Sequence, residues 1–248
     1  MTDLDRLIEI LCGERGEEVP VLSEDEKPDY FRALCNVRPP VQATAEFLSL
    51  QDRYLKEKVR QKGVADVDRL SYKNGVCLFR GDITRLNADA IVNAANPAML
   101  GCFHPLHNCI DNAIHSAAGV QVRLDCNDIM KGGQAKVGEV IVTKAYNLPA
   151  RFIFHTAGPI VYGKTTRKNQ TDLKKCYVGC LEKAAELNLK SVAFCCISTG
   201  VYGYPQQEAA CVATDAVTRF PAVIGGKLKV IFDLFTENDY EIYKRIIG

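Results

Sequence analysis

The sequence predicts an α/β fold, and three observations predict it. From Val76 onward, six short runs read as strands: VCLF (76–79), DAIVNA (89–94), EVIVTKA (139–145), RFIFHTA (151–157), SVAFCCIS (191–198) and LKVIFDLF (228–235). They are rich in β-branched and aromatic residues and mostly apolar on both sides, as strands covered on both faces are. Helix-periodic stretches lie between them, around 109–130, 170–188, 206–219 and 238–247. Buried strands alternating with helices imply helical layers around a largely parallel or mixed sheet.

Residues 1–72 have a different texture and read as helical. Leu4, Leu7, Ile8 and Leu11 recur at helical spacing, as do Phe47, Leu48, Tyr54, Leu55 and Val59 between Ala43 and Gln61. Pro20, Pro28, Pro39 and Pro40 mark the breaks. The boundary falls at Ser71–Gly75, so the expected organisation is a helical N-terminal extension (1–72) packed on an α/β domain (73–248). Packing is expected because isolated helices of this length are marginal in water.

Composition narrows the function classes. An apolar fraction of 47% allows a well-buried core, and a net charge of +1 without a basic block gives no nucleic-acid surface. No apolar run approaches the roughly 18 residues of a membrane span. The acidic, amphipathic start MTDLDRLIEILCG lacks the basic opening of a signal peptide. Eleven cysteines without a secretion signal fit a reducing cytoplasm, where a cysteine cluster points to metal or catalysis or to small buried hydrophobes. Cys176, Cys180, Cys195, Cys196 and Cys211 are read as such core residues.

In open α/β sheets ligands bind beyond the carboxyl ends of the strands. Polar or Gly-rich stretches follow strands at GDIT (81–84), NAAN (93–96), HTAGP (155–159) and STGVYGYP (198–205). Such turns present backbone N–H groups to phosphate oxygens. Four in one frame, with neither GxxxxGK[ST] nor GxGxxG, point to a phosphate-bearing ligand in a site that is neither P-loop nor Rossmann.

Cys102, His107 and Cys109 are the other notable feature. Thiolates and an imidazole are donors that Zn2+ prefers, and their spacing lets them converge on a loop entering a helix. The alternative is a set of small core residues.

The motifs GDITRLNADAIVNAAN (81–96), AIHSAAG (113–119), LPARFIFHTAGP (148–159) and STGVYGYP (198–205) occur in the order of the macrodomain family, and the chain resembles its hydrolase branch over roughly residues 75–246. That resemblance implies a three-layer α/β/α domain binding ADP-ribose. By position it implies that Asp82 accepts from the adenine amino group, with the Ile83 N–H nearby, and that Phe235 stacks on adenine unless it is a core residue. Asn96 reaches the distal ribose while Asn93 pins the loop. Ser198, Thr199, Gly200, Val201 and Gly203 line the diphosphate, Tyr202 covers the distal ribose, and Gly119 adds a backbone contact.

Where the common hydrolase pattern has a glycine run, this chain has GCFHPLHNC (101–109). That substitution resembles the zinc-dependent macrodomain hydrolases, which carry a similar helical extension. It implies one Zn2+ per chain on Cys102, His107 and Cys109, with an open fourth position and His104 as a bystander. Asp111 aligns with the acid that positions water against the ribose anomeric carbon. It also suits a helix first turn, where the dipole stabilises a carboxylate.

The expected function is zinc-dependent hydrolysis of the bond between mono-ADP-ribose and a modified protein side chain, with Asp111, Asn96 and Tyr202 at the reaction centre. The expected partners are ADP-ribose and the modified protein, not nucleic acid or membrane. The rivals are a non-catalytic ADP-ribose reader, a deacylase or phosphatase acting on free ADP-ribose derivatives, and an enzyme using Cys102 or Cys109 as nucleophile.

Overall fold

The computed structural model describes residues 2–248. Three helices open the chain: α1 (Asp3–Arg15), α2 (Lys27–Val37) and α3 (Ala45–Lys62). Thr2 and Asp5 close a capping box on α1, and Thr44 Oγ1 accepts the Phe47 N–H at 3.1 Å to start α3. Pro28, expected to be a break, sits instead in the first turn of α2, where its missing N–H costs no helical bond.

The apolar stripes of these helices meet in a small core of Leu7, Ile8, Leu11, Phe31, Leu34, Phe47 and Leu55. Val120, from beyond the extension, completes it, so the extension is packed against the rest of the chain. The larger core begins at Val67, slightly before the expected boundary. Ala65 and Asn87 are already hydrogen-bonded there: Ala65 N–H donates to Arg85 O at 2.8 Å, and Val67 N–H to Asn87 Oδ1 at 2.8 Å.

The remainder follows as β1 (Val76–Phe79), β2 (Ala90–Ala94), α4 (Ile110–Ala118), α5 (Val120–Met130), β3 (Val140–Lys144), β4 (Phe152–Thr156), α6 (Arg167–Glu186), β5 (Ser191–Phe194), α7 (Gln206–Thr218), α8 (Pro221–Ile224), β6 (Lys229–Asp233) and α9 (Glu237–Ile247). The six strands form one mixed sheet in the order β1-β6-β5-β2-β4-β3. All neighbours are parallel except β3 and β4. Helices α6, α7 and α9 form one layer, α4 and α5 the other, which is the expected α/β/α sandwich.

Three differences have local causes. The helix expected over 109–130 is two helices, because Gly119 takes φ +104 between them. A Cβ there would lie 2.6 Å from Gln51 of the extension, so the break is built around a glycine. The strand expected to run to Ser198 stops at Phe194, where the chain enters a loop with Ser198 at φ +68. Cys211 is exposed rather than core: α7 turns Ala209, Ala210, Ala213 and Ala216 inward, and position 211 falls on the outer face. Cys176, Cys180 and Cys195 are buried, and Cys196 is partly so. No described helix is long and apolar enough to cross a membrane.

Candidate functional site

The carboxyl ends of β1, β2, β4 and β5 deliver the four loops that sequence singled out, and that of β6 delivers Phe235. Near the end of β2 Asn93 is fully buried, and just beyond the strand Asn96 is half-buried. Asn93 Nδ2 donates to Asp111 Oδ1 at 2.8 Å, and Asn96 Nδ2 to Asp111 Oδ2 at 3.3 Å and to Gly101 O at 3.0 Å. Asp111 itself sits in the first turn of α4 and is buried. Burial pushes its pKa up to about 6, against the pull of Asn93, Arg123 and Asn96. Asn93 therefore holds the Asp111 carboxylate rather than a loop backbone group, and Asn96 is tied to the same carboxylate.

Behind Asn93 lies His155, also fully buried, whose Nδ1 is 3.1 Å from Asn93 Nδ2 and whose Nε2 is 3.0 Å from Thr143 Oγ1. Because an amide nitrogen can only donate, Nδ1 is the acceptor and Nε2 carries the proton. Burial holds the His155 pKa down at about 3. His115, one turn after Asp111, places Nε2 3.5 Å from Asp111 Oδ1, and burial keeps it neutral too. Sequence analysis missed both histidines and Arg123. Only the Asp111-x3-His115 spacing, one helical turn, could have signalled any of them.

Thr199 Oγ1 donates to Cys196 O, Gly203 N–H to Gly200 O, and Val161 N–H to Tyr202 O. The amides of Ser198, Gly200, Val201 and Tyr202 find no protein acceptor among the described residues, and Ser198 Oγ is buried and unpartnered. Such a row of free donors is a cradle for an anion. Gly158 lets this loop come close: a Cβ there would lie 2.1 Å from Ser198 Oγ. The pKa of Tyr202 is raised by burial and then by the charge of Asp111, so the ring lies within electrostatic reach of that carboxylate.

At the other end of the cleft, Asp82 caps the 3-10 turn Ile83–Arg85 and accepts from Thr84 N–H at 2.9 Å. Its second oxygen pairs with Lys62 of α3 at 3.1 Å. Burial works to raise its pKa, but Thr84 and Lys62 outweigh it and the net shift is downward. Phe235, just past β6, is 71% exposed, which removes the core reading and leaves a ring free to stack. Nearby Asp233 is buried, with Oδ1 unpartnered and its pKa well above the usual range through burial and the charge of Asp82. Gly119 is the residue expected to add a backbone contact. Its N–H is committed to His115 O at 3.0 Å and its Cα faces Gln51, so it has no free donor for a ligand.

Cys102, His107 and Cys109 do come together, with donor atoms all within 4.8 Å of one another. Cys102 Sγ and His107 Nδ1 are 3.5 Å apart. Metal–ligand lengths of about 2.3 Å to sulfur and about 2.0 Å to nitrogen at a tetrahedral angle require a separation of about 3.5 Å. The donor set and its spacing thus fit a tetrahedral divalent metal with one position left over. They form the only such cluster among the described residues, and His104 is not in it. Cys109 also caps α4, its Sγ accepting the Asn112 N–H at 3.4 Å, so the third donor lies two residues from Asp111.

The Macro domain model matches residues 92–213. A protein-ADP-ribose hydrolase of Treponema medium is 43% identical over a 262-residue alignment that covers the whole of both chains. The chain belongs to the macrodomain family. A Trypanosoma brucei macrodomain solved with ADP-ribose is 30% identical with TM-score 0.67, covering 92% of this chain and 97% of its own. An Oceanobacillus iheyensis macrodomain solved with ADP is 38% identical with TM-score 0.63, covering 69% of this chain and 89% of its own. The second macrodomain thus aligns with a smaller share of this chain than the first.

Proposed function

We propose that this macrodomain is a zinc-dependent hydrolase that removes mono-ADP-ribose from modified protein side chains and releases ADP-ribose. The observation that carries the reading is the placement of three zinc-type donors beside the buried Asp111, on the loop and first turn of one helix. The name of the Treponema medium relative, a protein-ADP-ribose hydrolase at 43% identity, supports the hydrolase part of it independently.

In this reading Asp82 accepts from the adenine amino group, and Lys62 shares or yields that oxygen. Phe235 stacks on the ring, the free amides of Ser198, Gly200, Val201 and Tyr202 hold the diphosphate, and the Tyr202 ring covers the distal ribose. Cys102, His107 and Cys109 would hold the zinc, which would supply Lewis-acid chemistry beside the distal ribose. Asp111 keeps lone pairs beyond those taken by Asn93 and Asn96. It orients a water and takes its proton as the water oxygen bonds to the anomeric carbon. The bond from that carbon to the side-chain atom breaks, and the departing group leaves with the electron pair.

A reader that only binds ADP-ribose needs neither the buried carboxylate nor the metal donors. Incubation with a mono-ADP-ribosylated protein separates the readings. Release of free ADP-ribose is expected; tight binding without release would make the domain a reader.

A further inference from the structure

Pro105 and the positive-φ residue Leu106 make the 102–109 loop irregular, with few backbone bonds of its own. Its partners come from the extension. Asn36 of α2 is 2% exposed, and its Oδ1 accepts the Leu106 N–H at 3.0 Å while its Nδ2 donates to Ser116 Oγ at 2.9 Å. Arg32, one turn earlier, donates to Asn112 Oδ1 at 2.7 and 3.1 Å and reaches His107 O at 3.5 Å. Asn112 passes the contact on, its Nδ2 donating to His104 O at 3.0 Å while its N–H bonds Cys109 Sγ. Arg123 closes the brace from the other side. It donates to Leu100 O at 2.7 Å and to Cys35 O at 3.1 Å, also bonds Arg38 O, and lies 4.2 Å from the Phe103 ring centre.

We propose that helix α2 of the N-terminal extension is a working part of the metal site. Asn36 and Arg32 are positioning residues that hold Cys102, His107 and Cys109 in ligating geometry. This rests on reading those three as metal ligands. The physical reason is preorganisation: a loop bound at Leu106, His107 and, through Asn112, His104 needs less ordering when the metal arrives. Partners at this remove from a metal are typically worth about 10–100-fold in affinity.

The test compares full-length wild type with Asn36→Ala and Arg32→Ala. Three quantities are read: the rate at which a chromogenic chelator strips zinc, hydrogen exchange across residues 100–109, and ADP-ribose affinity by calorimetry. Zinc should leave at least about tenfold faster from each variant and exchange in the loop should quicken, with ADP-ribose affinity within about twofold. Hydrolysis should lose kcat while KM holds, and Arg32→Lys should recover part of the loss. Should Asn36→Ala not fold, the less buried Arg32 decides. Unchanged zinc loss and unchanged loop exchange in Arg32→Ala would overturn the proposal. A wild type that takes up no zinc would instead contradict the metal reading, and the exchange comparison, made on metal-free protein, would still test the brace.

Discussion

Asn93 Nδ2 stands 2.8 Å from Asp111 Oδ1 and 3.1 Å from His155 Nδ1, so one buried amide joins the acid at the cleft to a histidine of the neighbouring strand β4. The carboxylate is thereby fixed before any ligand arrives. Asp111→Ala should lower hydrolysis by about two to four orders of magnitude, the usual worth of a positioned acid or base. Zinc content and ADP-ribose affinity should hold, because neither depends on that carboxylate. Steady-state kinetics with metal analysis checks both; an unaltered rate would remove Asp111 from the chemistry.

His155 makes a pH prediction. Its folded pKa of about 3 lies below the ordinary value of 6.5, so between those limits the unfolded chain holds more protons than the folded one. Stability from this residue is therefore present above about pH 6.5 and is lost as pH falls. Relative to His155→Gln, which keeps an acceptor for Asn93, the wild type should lose about 2 kcal/mol between about pH 7 and about pH 5. Denaturant titrations at the two pH values read the difference, and an equal pH dependence in the two proteins would mean that His155 titrates in the fold as it does in the unfolded chain.

Asp82→Ala should weaken ADP-ribose binding by roughly 1–3 kcal/mol, the cost of leaving a hydrogen-bonding partner stranded. ADP-ribose should also bind far better than AMP, since diphosphate and distal ribose have their own subsites. Calorimetry giving equal affinities for the two would remove this reading of the cleft.

Removing residues 1–70 should lower the melting temperature of the remainder. The cut strips the cover from Val120 and leaves the Val120 N–H, held by Gln51 Oε1 at 2.9 Å, without its partner. A residue 71–248 fragment as stable and soluble as the full chain would make the extension a separate module.

The sheet was legible because its strands are apolar on both sides, a pattern little else produces in so short a run. The convergence of Cys102, His107 and Cys109 was legible because the three lie within eight positions on one loop entering a helix. The brace was not: Asn36 and Arg32 lie some 70 to 80 positions from their partners, and no local periodicity encodes such a contact. Cys211 was misplaced because α7 is rich in alanine, which blurs the phase of its buried face. Gly119 carries a motif position, yet its role was decided by Gln51, a residue of another element.

The most direct test of the central claim uses zinc-loaded protein and a mono-ADP-ribosylated protein substrate, with released ADP-ribose and bound metal followed together. Chelation, or His107→Ala, should leave a folded protein that still binds ADP-ribose through adenine and diphosphate. It should lose two to four orders of magnitude in hydrolysis, about 3–5 kcal/mol of transition-state stabilisation, and the chelated sample should recover when zinc is restored. A metal-free protein that folds and hydrolyses at the original rate would contradict the account.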